Sequence, residues 1–144
     1  MTRPATRALG IDLGSKRIGI AIGDRTGTIA SPLQVLQRSG SVRRDHQTIA
    51  ALVIEEEADV VVVGLPLNMN GSAGPAAKAA VNEAAALATV VGVPVVTFDE
   101  RRTTVTADQA MIEANMRAQA RRRIVDKIAA AVMLQNWLDA GGPT

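Results

Sequence analysis

The sequence predicts an α/β domain with a five-stranded mixed sheet, formed by a three-strand meander and then two parallel strands, and with helices on both faces. Three patterns support this fold class. Apolar residues alternate with small or polar ones early in the chain, two short apolar runs follow later, and helical spacing surrounds those runs. With 144 residues, 47% of them hydrophobic and 21% charged, the chain fits one globular domain, which we expect to span residues 1–144.

The first three strands are predicted from their alternation. Residues 8–14 and residues 18–23 each alternate, and the short polar connection between them is typical of a hairpin. Residues 28–36 are predicted to form the third strand, in which Pro32 favours an edge position or a bulge. The chain is therefore expected to open with a meander.

The rest of the chain is predicted to alternate helices with buried strands. Residues 60–63 are wholly apolar and β-branched, which is typical of a parallel strand covered on both faces. The remaining predicted elements are a helix at 42–57, a helix beginning at Pro75 and running to 90, a buried strand at 93–98, and helices at 104–116 and 120–138. A meander followed by such crossovers is the element order of a ribonuclease H-like architecture.

Composition excludes several classes of protein. No apolar run approaches the roughly 18 residues that a membrane helix needs, and no sustained apolar stretch follows the basic start. We therefore expect a soluble, cytoplasmic protein. The chain has no cysteine and only one histidine, His46, which is expected on the surface, so a zinc site is disfavoured.

The net charge gives little information about partners. The pI of about 9.7 rests on 16 basic residues against 14 acidic ones, a net charge of only +2. Without Tyr or Cys, few groups titrate between about pH 8 and 10, so a small excess of Arg raises the pI strongly.

Three acidic residues are the candidate catalytic and metal-binding groups. Asp12 lies inside an apolar strand, where an ionised carboxylate needs a partner, a hydrogen bond or a cation. Glu100 directly follows a predicted strand, at the edge where open α/β sheets bind ligands. Asp126 shares a helical stripe with apolar residues. Each also has a simpler interpretation: Asp12 bonded to turn amides, Glu100 in a surface ion pair, and Asp126 as a first-turn helix acid.

Together these acids predict a divalent-metal site. Mg²⁺ and Mn²⁺ prefer carboxylate oxygens and water, and one or two such ions support hydrolysis of phosphodiester bonds. Basic and amide residues near the acids are the candidate nucleic-acid-binding groups, although ion pairs and turn chemistry explain them equally well. They are Lys16, Arg17, Asn68, Asn70, Arg101, Arg102, Arg121 and Arg122.

Four motifs resemble the YqgF-type pre-16S rRNA nuclease family, which is related to RuvC-type Holliday junction resolvases. They are ALGIDLGSKRIGIA at 8–21, GLPLNMNGS at 64–72, DERRTT at 99–104 and DKIAA at 126–130. The resemblance implies a ribonuclease H-like fold and places the family's acidic triad on Asp12, Glu100 and Asp126. The family commonly has leucine or tyrosine where this chain has Arg102, which adds a charge beside the acids.

The resemblance also implies a function, the maturation of the 5′ end of 16S rRNA. We therefore expect a Mg²⁺- or Mn²⁺-dependent endonuclease that acts on structured precursor rRNA. The alternatives are a resolvase that cleaves four-way, branched DNA and a non-catalytic nucleic-acid-binding module. Ribosomal particles are a further candidate partner, no membrane is involved, and the protein acts as a monomer or a homodimer.

Overall fold

The computed structural model describes residues 6–66, 74–99 and 118–141, and for residues 118–127 it describes the helical backbone alone. The predicted helix at 104–116 lies outside the described residues. In chain order the elements are β1 (Ala8–Leu13), β2 (Arg17–Gly23), β3 (Ala30–Gln37), α1 (Val42–Glu55), β4 (Val60–Leu65), α2 (Pro75–Ala88), β5 (Val95–Asp99) and α3 (Ala118–Asp139).

The strands form one mixed sheet in the order β3-β2-β1-β4-β5. The β1, β2 and β3 strands pair antiparallel, as the predicted meander requires, and β4 pairs parallel with both β1 and β5. Pro32 lies in the edge strand β3, and the pairing of β2 with β3 shifts register between Ile20 and Ala21. The predicted fold class is thus confirmed.

One face of the sheet packs against α1 and α2. Because side chains alternate along a strand, Leu9 and Ile11 of β1 point to this face together with Val61 and Val63 of β4. Ile49 from α1 and Leu87 from α2 complete this part of the core, and both are fully buried. The apolar residues whose spacing predicted the helix at 42–57 therefore do face the core.

The opposite face of the sheet packs against α3. Ala8, Ala21 and Val62 contribute small side chains from the sheet, and Met133 and Leu134 contribute larger ones from the helix. The side chain of Gln135 fixes this helix to the meander, because its Oε1 accepts from the Ala30 N–H at 2.9 Å. Its Nε2 donates to the Thr28 carbonyl at 2.8 Å. Helices therefore cover both faces, as predicted.

The two later strands differ in burial. Val60–Val63 are buried, which confirms the prediction for β4. The β5 strand is partly exposed, and Val96 is 36% accessible. The prediction of a buried strand at 93–98 was wrong because β5 lies at the end of the sheet, with β4 as its neighbour in the described sheet.

The helices begin at the residues expected from capping chemistry. Ser41 precedes α1, and its hydroxyl accepts from the Arg44 N–H at 3.2 Å. Pro75 begins α2, where its missing N–H costs no helical hydrogen bond. None of the helices in the described part of the chain is long and apolar enough to cross a membrane.

Candidate active site

Asp12 lies near the carboxyl end of β1, opposite Gly19 of β2. It is partly buried. Strand alternation places it on the same face as Ala8 and Gly10, which is the face that α3 covers. The sequence thus positions this carboxylate at one end of the sheet, under a helix.

The α3 helix approaches the sheet most closely at Gly10. A Cβ added to Gly10 would lie 2.9 Å from the Cβ of Leu134 and 3.4 Å from the carbonyl oxygen of Ala130. At the other end of β1, Ala8 lies opposite Gly23 of β2, and Gly23 lies near Leu138 of the helix. The helix therefore runs antiparallel to β1, and its earlier residues continue towards Asp12.

Asp126 belongs to this helix and precedes Ala130 by four residues. Four residues correspond to about one helical turn, or roughly 6 Å along the axis. The backbone of position 126 therefore lies one turn closer to the carboxyl end of β1 than Ala130 does. The helical backbone also includes Arg121 and Arg122.

The other predicted site residues fall into two groups. Glu100, Arg101, Arg102, Asn68 and Asn70 lie outside the described residues. The strands that precede them end at Leu65 and Asp99, which are register partners in the parallel β4 and β5.

Lys16 and Arg17 lie in and after the turn that joins β1 to β2. Lys16 is exposed, whereas Arg17 is partly buried and begins β2. Alternation along β2 places Arg17 on the face of Gly19 and Ala21, which is also the face of Asp12. Of these two cations, Arg17 thus shares the face of the candidate catalytic acid.

A partly buried polar network adjoins the same turn, and no pattern in the sequence indicates it. The two terminal nitrogens of Arg38 donate to the two carboxylate oxygens of Glu83, each at 2.9 Å. The Nε of Arg38 donates to the Gly14 carbonyl at 2.7 Å. His46 Nε2 lies 2.9 Å from Glu83 Oε2. This network joins the end of β3, both helices of one face and the turn after Asp12.

His46 corrects a prediction. It was expected on the surface, but it is only 2% exposed and contacts Glu83. Burial by itself opposes ionisation of Glu83, yet the hydrogen bonds and charges of Arg38 and His46 outweigh it and lower the pKa of the Glu83 carboxyl. Glu83 is therefore held as a carboxylate inside the network.

A cleft of about 460 Å³ lies beside the turn, on the side of α1. Its lining residues are Ser15, Lys16, Gln37, Arg38, Gly40, Val42 and Asp45. Asp45 is 3% exposed and accepts from the Ser39 N–H at 3.1 Å, so it stabilises the segment before α1. Lys16 contributes the exposed cation of this lining.

Across residues 6–66 and 74–99 and the side chains from 128 onward, no three acidic or histidine side chains form a metal-binding cluster. Asp12 is the one member of the predicted triad whose side chain falls in that part of the chain. The described structure therefore fixes one acid of the triad and the backbone of a second.

Comparison with known proteins gives the family. The model of the RuvX family, described as Holliday junction resolvase, matches residues 6–140. A protein of Myxococcus xanthus named "Putative pre-16S rRNA nuclease" is 42% identical over 137 residues, which cover 95% of this chain and 90% of that protein. A protein of the same name from Mycobacterium sp. strain KMS is 45% identical, covering 92% and 79%.

A solved structure supports the fold. Thermus thermophilus RuvC in complex with a Holliday junction substrate aligns with a TM-score of 0.58 at 16% identity, covering 95% of this chain and 97% of that one. RuvC has a ribonuclease H-like fold, so the predicted architecture is confirmed. The family match and the curated relatives together show that this chain belongs to the RuvX, or YqgF-type, family.

Proposed function

We propose that this protein is a metal-dependent endonuclease that processes the 5′ end of precursor 16S rRNA. Nuclease activity on nucleic acid is supported by the names of its curated relatives. The observation that carries the proposal is the position of Asp12 at the carboxyl end of β1, under a helix that also contains Asp126. This is the edge at which α/β sheets bind their ligands.

The donor set suits a hard divalent cation. Asp12, Glu100 and Asp126 would supply carboxylate oxygens only, which Mg²⁺ and Mn²⁺ prefer. Phe98 lies on the α3 face of β5. Glu100 follows it by two sequence positions, which is the spacing of residues that share one face of a strand. A divalent ion held by these residues would activate the attacking water and stabilise the leaving oxygen, chemistry that would leave a 3′-hydroxyl and a 5′-phosphate.

The basic residues have a separate task, which is to hold the phosphates of the substrate strand. Arg17 is the best supported of them, because alternation along β2 places it on the Asp12 face. We assign the same role to Lys16, Arg101, Arg102, Arg121 and Arg122, with Asn68 and Asn70 as hydrogen-bond donors. Binding through such contacts weakens steeply as salt concentration rises.

A second candidate function is resolution of four-way DNA junctions. The description of the matching family as Holliday junction resolvase favours it. Because a resolvase must cut two strands, this function requires a homodimer that presents two sites. An RNA substrate needs one site only, so the two functions predict different assemblies.

The test is cleavage of a precursor 16S rRNA fragment by the purified protein with Mn²⁺ or with a chelator. We expect Mn²⁺-dependent cleavage by the wild type and by Asp59→Asn, and at least about 100-fold slower cleavage by Asp12→Asn. Asp59 is a matched control because it is exposed and directly precedes β4, which runs parallel to β1. It therefore lies at the opposite edge of the sheet from Asp12. Equal cleavage by wild type and Asp12→Asn would contradict the proposal.

The same samples are assayed on a synthetic four-way DNA junction. Junction cleavage by a dimer, together with no cleavage of the RNA, would favour the resolvase function. Binding of either substrate without a metal-dependent product in any variant would favour a module that binds nucleic acid without cutting it.

A further inference from the structure

The turn at 14–16 connects Asp12 to β2 and is held both from within and from outside. The Gly14 N–H donates to the Arg17 carbonyl at 2.9 Å, which closes the turn from within. From outside, Arg38 contributes two bonds: its backbone N–H donates to the Lys16 carbonyl at 3.0 Å, and its Nε donates to the Gly14 carbonyl at 2.7 Å. Arg38, the residue directly after β3, therefore holds both ends of this turn.

The guanidinium of Arg38 is itself fixed. Its two terminal nitrogens meet both carboxylate oxygens of Glu83, which is the planar, two-bond geometry that arginine and not lysine can form. His46 occupies the remaining side of the carboxylate at 2.9 Å. The side chains of Arg38 and Glu83 are each 16% exposed, so solvent has little access to the pair.

Stability alone does not require a charged pair at this position. Taking two charges out of water costs free energy, and apolar residues of similar volume often stabilise a protein equally well. Arg38 also does not offer a free positive charge to a substrate, because the Glu83 carboxylate neutralises it. What the pair does supply is a rigid donor aimed at the Gly14 carbonyl, two residues after Asp12.

We propose that Arg38 is a positioning residue for the active site, with Glu83 and His46 holding its guanidinium in place. It fixes the turn at 14–16 and thereby the end of β1, so that Asp12 and Lys16 keep one position relative to each other. This inference rests on the proposed function, since it assigns a support to the same site. Arg38, Glu83 and His46 would thus support the site from the α1 and α2 side of the sheet.

The test uses hydrogen exchange at the Gly14 amide in the metal-free protein, with Mn²⁺ affinity as a second measurement. Arg38→Met removes both the charge and the bonds to Gly14 and Glu83. Arg38→Lys keeps the positive charge but loses the planar donor geometry. Glu83→Gln keeps the shape of the carboxylate and removes its charge. Arg25→Met is the control, because Arg25 pairs with Glu57 on an exposed surface, with side chains 64% and 69% accessible.

We expect Gly14 exchange to become at least about 10-fold faster in Arg38→Met and in Arg38→Lys, with exchange in the core of β2 unchanged. Mn²⁺ affinity should fall by about 10-fold in both, a size typical of residues that support metal ligands. Glu83→Gln should show the same changes at smaller size, and Arg25→Met should match the wild type. If Arg38→Met does not fold, the Lys and Gln variants decide the question.

Wild-type Gly14 exchange and wild-type Mn²⁺ affinity in Arg38→Lys would overturn the inference, because a positive charge alone would then be enough to hold the turn. Unchanged Gly14 exchange in every variant would also overturn it. Failure of the wild type to bind Mn²⁺ would contradict the proposed function, and Gly14 exchange in the metal-free protein would still decide the role of Arg38.

Discussion

Gly10 of β1 lies directly beneath Leu134 of α3, so close that a Cβ on Gly10 would come within 2.9 Å of the Leu134 Cβ. Real Cβ atoms do not approach each other so closely, and the Cβ of Leu134 cannot rotate away. The absence of a side chain at Gly10 therefore sets the distance between helix and sheet, two residues before Asp12.

Substituting Gly10→Ala should therefore push α3 away from β1. We expect the free energy of unfolding to fall by about 1–3 kcal/mol, the range for overpacking a close-packed core. Urea denaturation followed by circular dichroism measures this change. Gly92→Ala is the control, since an added Cβ there meets no atom within 4 Å. Equal stability of the two variants would contradict the described packing of α3.

The core contact of α1 can be tested with two isoleucines of the same helix. Ile49 is fully buried against the sheet, whereas Ile54 is 78% exposed. Ile49→Ala should lower the free energy of unfolding by about 2–5 kcal/mol, and Ile54→Ala should change it by less than about 0.5 kcal/mol. Similar losses in the two variants, again measured by urea denaturation, would show that α1 packs on a different face.

Gln135 adds two hydrogen bonds to the attachment of α3 to the meander. Gln135→Ala removes the acceptor for the Ala30 N–H and the donor to the Thr28 carbonyl. Each such bond contributes about 0.5–1.5 kcal/mol, so we expect a loss of roughly 1–3 kcal/mol in thermal or urea unfolding. Gln47→Ala, at an exposed position of α1, is the control and should be near neutral. A loss no larger than in this control would argue against the two bonds.

The free energy of unfolding should depend on pH in the acidic range because Glu83 titrates there. Its pKa is lowered in the folded protein below the ordinary value of 4.5, so folding favours its ionised form. This stabilisation is complete above about pH 5.5 and is lost as pH falls through the folded pKa. Stability should therefore decline on acidification, and Glu83→Gln should decline less. Denaturation midpoints measured between pH 3 and 7 test this prediction.

The difference between the pH profiles of wild type and Glu83→Gln gives the contribution of Glu83 to stability. The pKa of Asp24 is also lowered, by a hydrogen bond from the Thr26 hydroxyl and by the backbone N–H groups of Thr28 and Ile29. Asp24 titrates in both proteins, so its contribution cancels in the difference. Parallel pH profiles for wild type and Glu83→Gln would contradict the described network.

The fold could be predicted from the sequence because its signals are local. Alternation in residues 8–14 and 18–23 fixes which side chains of β1 and β2 share a face, and this places Asp12 and Arg17 on the same face of the sheet. Pro32 predicted an edge or a bulge, and it lies at an edge strand with a register shift nearby. Such signals need no knowledge of distant contacts.

The Arg38–Glu83–His46 network could not be predicted, because none of its members is unusual in its own segment. His46 and Glu83 are 37 residues apart, and Arg38 and Glu83 are 45 apart. His46 lies among polar residues, so its segment indicates a surface position. Burial of His46 follows only once α1 and α2 both pack on the same face of the sheet. Helical spacing alone does not set that contact.

The measurement that most directly tests the central claim is a titration of Mn²⁺ followed by paramagnetic broadening of amide signals. We predict that the signals of Asp12, Glu100 and Asp126 broaden first, at less than one equivalent of Mn²⁺, and that Asp12→Asn abolishes this pattern while Asp59→Asn preserves it. Broadening that begins instead at the acidic run Glu55, Glu56 and Glu57, or that is unaffected by Asp12→Asn, would contradict the claim.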